Sequence, residues 1–358
     1  MALHTNESDH LSPLGSLDWM GSAELDQPER ELVTGFRAAL QEGLAVGIKT
    51  LDIDSRMHLV NNPDKAIDQQ LLGDVERKGY AGHFVVSPEY AWLQGEALGN
   101  FRIMRSGRAE TSAHQVFFGA LQADGDNDRG LLVAVKPCIE RSSTACSDWL
   151  NAHLARRAGE RSFQPVGYLL HEGRGYSVTE LDRGVETLDN SEWRQVMLDE
   201  GNPNYAGQIE LLGDIAARLA GLHKKNIFHE DPQFKNIALD ISGEMFFIDW
   251  ESSTFFQGAV EQSVLQHKME HDLKVLFGSM ARSVEDNGVG LLHIFKHPIQ
   301  WQLFKKYIFD PYMETYLSDE GEDDSRFEVL AEVEATLQHY IESGAIYESL
   351  KRHRGHHN

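Results

Sequence analysis

In the segment LHKKNIFHEDPQFKNIALDISGEMFFIDWESS, His229, Asp231 and Asn236 stand in the spacing H-x-D-x-x-x-x-N, and Asp249 follows eighteen residues after Asp231. Moving a phosphoryl group asks little of a protein beyond positioning and neutralisation of charge. One carboxylate must orient an acceptor hydroxyl and take its proton, and Asp231 has the side chain for it. A carboxamide five residues on, Asn236, offers a neutral oxygen to a cation. Asp249, at the end of the apolar run Phe246–Ile248, offers a second carboxylate. Two carboxylates and an amide oxygen are hard ligands of the kind Mg2+ takes. The stretch NIALDISGEMFFID predicts a hairpin that brings Asn236 and Asp249 together.

The elements that must position these residues follow from the patterning. Residues 1 to about 28 are polar and without period, which predicts a mobile leader. From Glu29 to Leu51, Leu32, Val33, Phe36, Leu40 and Leu44 recur at three- and four-residue steps, the mark of an amphipathic helix. A second helix is expected near Ala66–Arg77, and GHFVVSPEYAWL reads as a short strand ended by Pro88. Residues 29–98 are thus expected to form an N-terminal helical extension. From about residue 99, FRIMRS, AHQVFFGAL and GLLVAVKPC are β-rich runs separated by turn-forming segments, which predicts three antiparallel strands. A helix over Ser147–Ala158 and two strands, PVGYLLHE and GYSVTEL, complete this part. Beyond Gly184 the pattern is mostly helical, with Ile209–Leu222 on one face and a last helix over Arg326 to about Arg352. The acidic run at 319–324 reads as a solvated loop. The fold class expected is α+β, with a small β-rich lobe over 99–181 and a larger helical lobe over 182–358.

A chain of 358 residues with 41% hydrophobic content suits roughly two globular domains. No apolar run approaches the ~18 residues of a membrane span. The first residues lack the basic and apolar regions of a secretory signal, so a cytoplasmic protein without a transmembrane segment is expected. Two cysteines, Cys138 and Cys146, cannot make a disulfide framework and read as buried packing thiols. The net charge of −23 disfavours nucleic acid and anionic membrane as partners, since both bind through Lys and Arg.

On the loop HEDPQFKN, the hairpin and the aspartate after it, the sequence resembles the protein-kinase-like phosphotransferase superfamily. IDWE resembles the aminoglycoside and choline phosphotransferases. TELDRGVETLDN and SDWLNAHLARRAG are more similar to the bacterial lipopolysaccharide-core sugar kinases. The resemblance covers about residues 99–280. It implies a bilobal kinase-like fold that binds ATP and Mg2+ between its lobes. VAVKPC then resembles the strand that carries the nucleotide lysine, which makes Lys136 the cation for the α- and β-phosphates. SGRAETS occupies the phosphate-loop position with one glycine, Gly107, and with Ser106, Thr111 and Ser112 as hydroxyl donors. Thr179, Glu180 and Leu181 sit where the family lends backbone groups to adenine. Asn236 and Asp249 become the metal ligands, Asp231 the catalytic carboxylate, and Lys235 a contact to the γ-phosphate or a surface lysine. The helix glutamate that pairs with the lysine has no clear counterpart; alignment on Gly159 nominates Asp148, with Glu140 as the alternative. By the same resemblance His229 bonds backbone within the loop, and Asp272 in HDLKVLF anchors it from beneath.

The expected activity is transfer of the γ-phosphoryl group of ATP to a hydroxyl. A small molecule or sugar is favoured as acceptor, because Asp272 comes only 23 residues after Asp249 and no A-P-E signature lies between them. A specific protein substrate is the alternative, with residues 1–98 as a docking element or partner surface. A catalytically silent scaffold is the rival class. A competing motif, His267-x-x-Glu270-His271, matches a zinc-hydrolase pattern but is short, and the chain holds 17 histidines.

Overall fold

The computed structural model describes residues 12–14, 17–21, 24–94, 98–108, 116–123, 129–138, 143–182, 184–188, 205–285, 301–318 and 324–346. The described residues form a mixed α+β structure with a mainly antiparallel sheet and several helices. They divide into two compact units. The first is drawn from Met1–Asn61, Asp68–Arg183 and Asp249–Glu251, the second from Asn62–Ile67, Gly184–Ile248 and Ser252–Asn358.

The first unit is built on an eight-stranded sheet. Its strands are β1 (Ser12–Pro13), β2 (Ile48–Thr50), β3 (Phe84–Val86), β4 (Leu98–Arg108), β5 (Phe117–Ala123), β6 (Arg129–Cys138), β7 (Pro165–His171) and β8 (Arg174–Glu180). The order is β2-β3-β7-β8-β6-β5-β4, with β1 added to β6; only β2–β3 is parallel. Because side chains alternate across a strand, β6 sends Leu131, Val133 and Val135 to one face and Leu132, Ala134 and Lys136 to the other. The first face is covered by helix α1 (Gln27–Val46), whose Val33, Phe36 and Leu40 are buried in one cluster with Leu131, Val133, Val135, Leu169, Tyr176 and Val178. Asp26 starts α1 with a capping box, accepting the Glu29 N–H at 2.9 Å while the Glu29 carboxylate accepts the Asp26 N–H. Helix α2 (Ile67–Lys78) is tied to the preceding turn by Asp74 and Arg56, 2.5 Å apart. Helix α3 (Ser143–Arg157) packs on β7 and β8, with the rings of Trp149 and Tyr168 5.4 Å apart.

Two sequence expectations differ here. Residues 29–98 were expected as an extension of their own, yet β3 pairs with β7 and so adds β2 and β3 to the sheet. Phe84–Val86 is apolar at every position and buried on both sides, which a free-standing short strand cannot be. Residues 12–20 were expected to be a mobile leader, yet Ser12 and Pro13 pair with Gly130 and Arg129, and Trp19 bridges Met104. Leu14, Leu17 and Trp19 pack with Met104, Phe118, Ala120, Leu132 and Leu181. Apolar residues spaced through a polar stretch were enough to dock it.

The second unit holds β9 (Glu186–Thr187), helix α4 (Tyr205–Lys224), β10 (Ile227–Phe228), β11 (Ile237–Leu239), β12 (Met245–Phe247), β13 (Thr254–Phe255) and helix α5 (Gln262–Glu285). Beyond them come α6 (Trp301–Phe304), a π-helical turn Lys305–Phe309, α7 (Asp310–Leu317) and α8 (Asp324–Glu342). β12, β11 and β9 form one small sheet, and β10 pairs with β13. Helix α4 packs on α7, and α5 on α8. Most of the acidic run at 319–324 and the end of the last expected helix lie outside the described residues. Among the described residues no helix is long and apolar enough to cross a membrane.

Candidate functional site

The expected residues fall in both units. In the first, Lys136 lies near the end of β6, directly opposite Ser177 of β8. Its ammonium is 2.6 Å from Asp249 Oδ1 and 2.7 Å from Glu251 Oε2, and only 12% of its side chain is exposed. Burial by itself pulls the Lys136 ammonium down; the carboxylates of Asp148, Asp249 and Glu251 more than offset this and hold it above its ordinary value. Asp148, on α3, is buried, and that burial raises its carboxyl to about 6, with Lys136 acting against the rise. The segment carrying Asp249 is held by α3 as well: Asn151 Nδ2 donates to the Trp250 carbonyl at 3.0 Å. Asp249 itself has a φ of 62°, the left-handed region that an aspartate enters at a cost.

The second unit holds the loop. The hairpin β11–β12 forms with Ile237 opposite Phe247, and the Ile248 N–H donates to the Asn236 carbonyl at 2.9 Å. Asn236 Nδ2 donates to both the backbone oxygen and Oδ2 of Asp231, each at 2.9 Å. Among the described residues its Oδ1 carries no hydrogen bond. Gln233 Nε2 donates to Asp231 Oδ1, and Lys235 Nζ lies 3.8 Å from Asp231 Oδ2. Asp231 is 29% exposed, so its carboxylate meets solvent.

Beneath the loop, Asp272 of α5 is fully buried. Its Oδ2 accepts the His229 N–H at 2.9 Å and its Oδ1 the Glu230 N–H at 2.8 Å. His223 Nε2 lies 3.0 Å from the same Oδ2, with Nδ1 2.6 Å from the Tyr312 hydroxyl. Both ring nitrogens of His223 thus have a buried partner, Asp272 on one side and Tyr312 on the other. His229 Nε2 meets the Ile248 carbonyl at 3.0 Å, a backbone partner just before Asp249 rather than within the loop, where it was expected. Glu230, between His229 and Asp231, has a φ of 65° and pairs with Lys268 and Thr254.

The remaining expected residues are less concentrated. Ser106 and Gly107 lie inside β4, where the register with β5 shifts between Ile103 and Arg108. Thr111, Ser112 and Glu140 lie outside the described residues. Thr179 and Glu180 end β8 opposite Ala134 and Val133. The Glu180 and Leu181 N–H groups donate to the carbonyls of Gln164 and Leu132, at 2.8 and 3.0 Å. These amides are therefore already bonded within the sheet. The Glu180 carboxylate accepts the Tyr90 hydroxyl; burial and then that carboxylate raise the phenol above its ordinary value.

Of the zinc-like motif, His271 Nε2 lies 3.0 Å from the Glu230 carbonyl, and Glu270 pairs with Lys274 at 3.1 Å. Among the described residues no group of three or more His, Cys, Asp or Glu side chains is arranged to hold a metal ion. Cys138 and Cys146 are free and buried, and burial raises the Cys146 thiol to about 12. Sequence reasoning missed Glu251, Asn151 and Tyr90. For Glu251 a signal existed, a second carboxylate two residues past Asp249. For Asn151 and Tyr90 none did.

No family model matches the sequence, and no curated protein matches it.

Proposed function

We propose that this protein is an ATP- and Mg2+-dependent phosphotransferase with a bilobal, protein-kinase-like fold. The observation that carries the reading is the 2.6 Å ion pair between Lys136 and Asp249, residues the sequence singled out 113 positions apart. It is supported by the Asp231–Asn236 loop, whose backbone Asp272 holds and whose acidic oxygens stay partly open to solvent. In this reading Lys136 binds the α- and β-phosphates of ATP. Asp231 accepts the proton of the acceptor hydroxyl, and Lys235 steadies the transferring group. Asn236 and Asp249 would hold Mg2+; the unbonded Asn236 amide oxygen and the Asp249 carboxylate are hard donors that fit it. Bound Mg2+ supplies neutralisation of charge on the β- and γ-phosphates. The lysine–aspartate pair keeps both side chains ordered before nucleotide arrives, which lowers the entropy cost of binding.

The acceptor in this reading is a hydroxyl on a small molecule or sugar, and the net charge of −23 favours a neutral or cationic one. Release of ADP from ATP by the purified protein, with Mg2+ and with EDTA, tests the reading. Mg2+-dependent turnover is expected, stimulated by the small-molecule fraction of a lysate. A second reading, a nucleotide- or protein-binding module without activity, is favoured by one observation: the Glu180 and Leu181 amides are already bonded within the sheet. Nucleotide binding without ADP release would select it.

A further inference from the structure

We propose that Glu251 is the positioning residue for Lys136, filling the place for which the sequence nominated Asp148 or Glu140. This rests on the phosphotransferase reading above. A lysine that must meet phosphate oxygens has a long flexible stem and needs a fixed counter-charge. Glu251 Oε2 is 2.7 Å from Lys136 Nζ, whereas Asp148 makes no ion pair with it within 4.0 Å. Asp148 is also buried, and that burial penalises its ionised form. Asp249 touches the lysine too, but in the proposed chemistry its carboxylate is needed by the metal. Glu251 is then left to hold the ammonium.

The backbone explains how residues two apart reach one nitrogen. Asp249 takes a left-handed φ of 62°, and a single 3-10 turn, Trp250–Ser252, follows. That reversal points both carboxylates at Lys136. Asn151 of α3 fixes the turn by donating to the Trp250 carbonyl at 3.0 Å. Helix α3 thus reaches the lysine by direct contact only through this turn and Glu251, while its own Asp148 acts on the charge at a distance.

The experiment measures binding of a fluorescent ATP analogue and steady-state ADP release for Glu251→Gln, Glu251→Asp, Asp148→Asn and Asp249→Ala. A charge-assisted contact of this kind predicts that Glu251→Gln weakens nucleotide binding and raises KM about tenfold or more, with a smaller change in kcat. Glu251→Asp should recover part of the loss, and Asp148→Asn, which removes a nearby charge but no direct contact, should weaken binding less than Glu251→Gln does. A larger defect in Asp148→Asn than in Glu251→Gln overturns the proposal. So does a Glu251→Gln variant whose kcat at saturating ATP collapses as Asp249→Ala does, since that marks a metal or catalytic role. A wild-type protein that neither binds nor turns over nucleotide sinks the phosphotransferase reading instead. The pairing is then judged by a double-mutant cycle of urea unfolding on Lys136→Met and Glu251→Gln. Non-additive losses support it, and additive ones overturn it.

Discussion

Asp272 shows how much one buried side chain can decide. It meets two backbone N–H groups and one imidazole, so its carboxylate is satisfied without a cation and the loop bearing Asp231 is fixed from below. Asp272→Ala would strand those buried donors, and we expect a loss of about 3 kcal/mol in urea unfolding, the scale for breaking a buried charged network. Asp249→Ala is a different case, because the side chain is 28% exposed and its backbone is held through Asn151. The variant should remain folded by circular dichroism while Mg2+-dependent ADP release falls a hundredfold or more, roughly the effect of losing several kcal/mol of electrostatic stabilisation. Unchanged turnover would end Asp249's assignment to the metal. Two of the non-glycine residues in left-handed conformation, Glu230 and Asp249, adjoin or belong to this set, as strain at working positions often does.

At the scale of elements, the sheet decides what residues 29–98 are. β3 lies so close to β7 that a methyl group on Gly167 would sit 2.2 Å from the Val85 carbonyl oxygen and 2.9 Å from the Phe84 ring. The backbone oxygen cannot yield without breaking the β3–β7 ladder, in which Val86 faces Gly167. Gly167→Ala should therefore cost about 2 kcal/mol or more in chemical unfolding, in the range of core overpacking. It should also raise hydrogen exchange in Phe84–Val86 more than in β5. Exchange rising equally in both strands would show that the two edges of the sheet are not independent. Just beyond β3, the Tyr90 hydroxyl donates to the Glu180 carboxylate and so ties this element to β8 as well.

For the molecule as a whole, pH provides a test tied to one cluster. Ser87 donates to the Pro165 carbonyl at 2.5 Å and accepts from Trp149 Nε1 at 3.0 Å and from His153 Nε2 at 2.7 Å, joining the end of β3, α3 and β7. Burial, and then Arg156, lower His153 from 6.5 to about 4, while Asp52 acts against the shift. A histidine depressed in the fold takes up its proton first in the unfolded chain. Its contribution to stability is therefore present above about 6.5 and is lost as pH falls toward about 4, by at most roughly 3 kcal/mol. Urea midpoints at pH 7 and 4.5 should differ less for His153→Gln than for the wild type. An equal difference would assign the acid sensitivity to other groups.

The sequence by itself determined what is local. The capping box of α1, the antiparallel order of the runs that became β4, β5 and β6, the β11–β12 hairpin and the spacing from Asp231 to Asn236 depend on neighbours a few residues away. The resemblance then nominated Lys136 and Asp249 separately, one for the phosphates and one for the metal. Three things were decided only in three dimensions. β3 chose β7 across about eighty residues, the segment Ser12–Met20 found an apolar face to lie on, and Lys136 took Glu251 rather than Asp148 as its second carboxylate. Strand partners and counter-ions depend on which surfaces and charges remain unsatisfied once everything else has folded. No window of sequence contains that information, because the competing groups lie far apart along the chain and meet only in the packed structure.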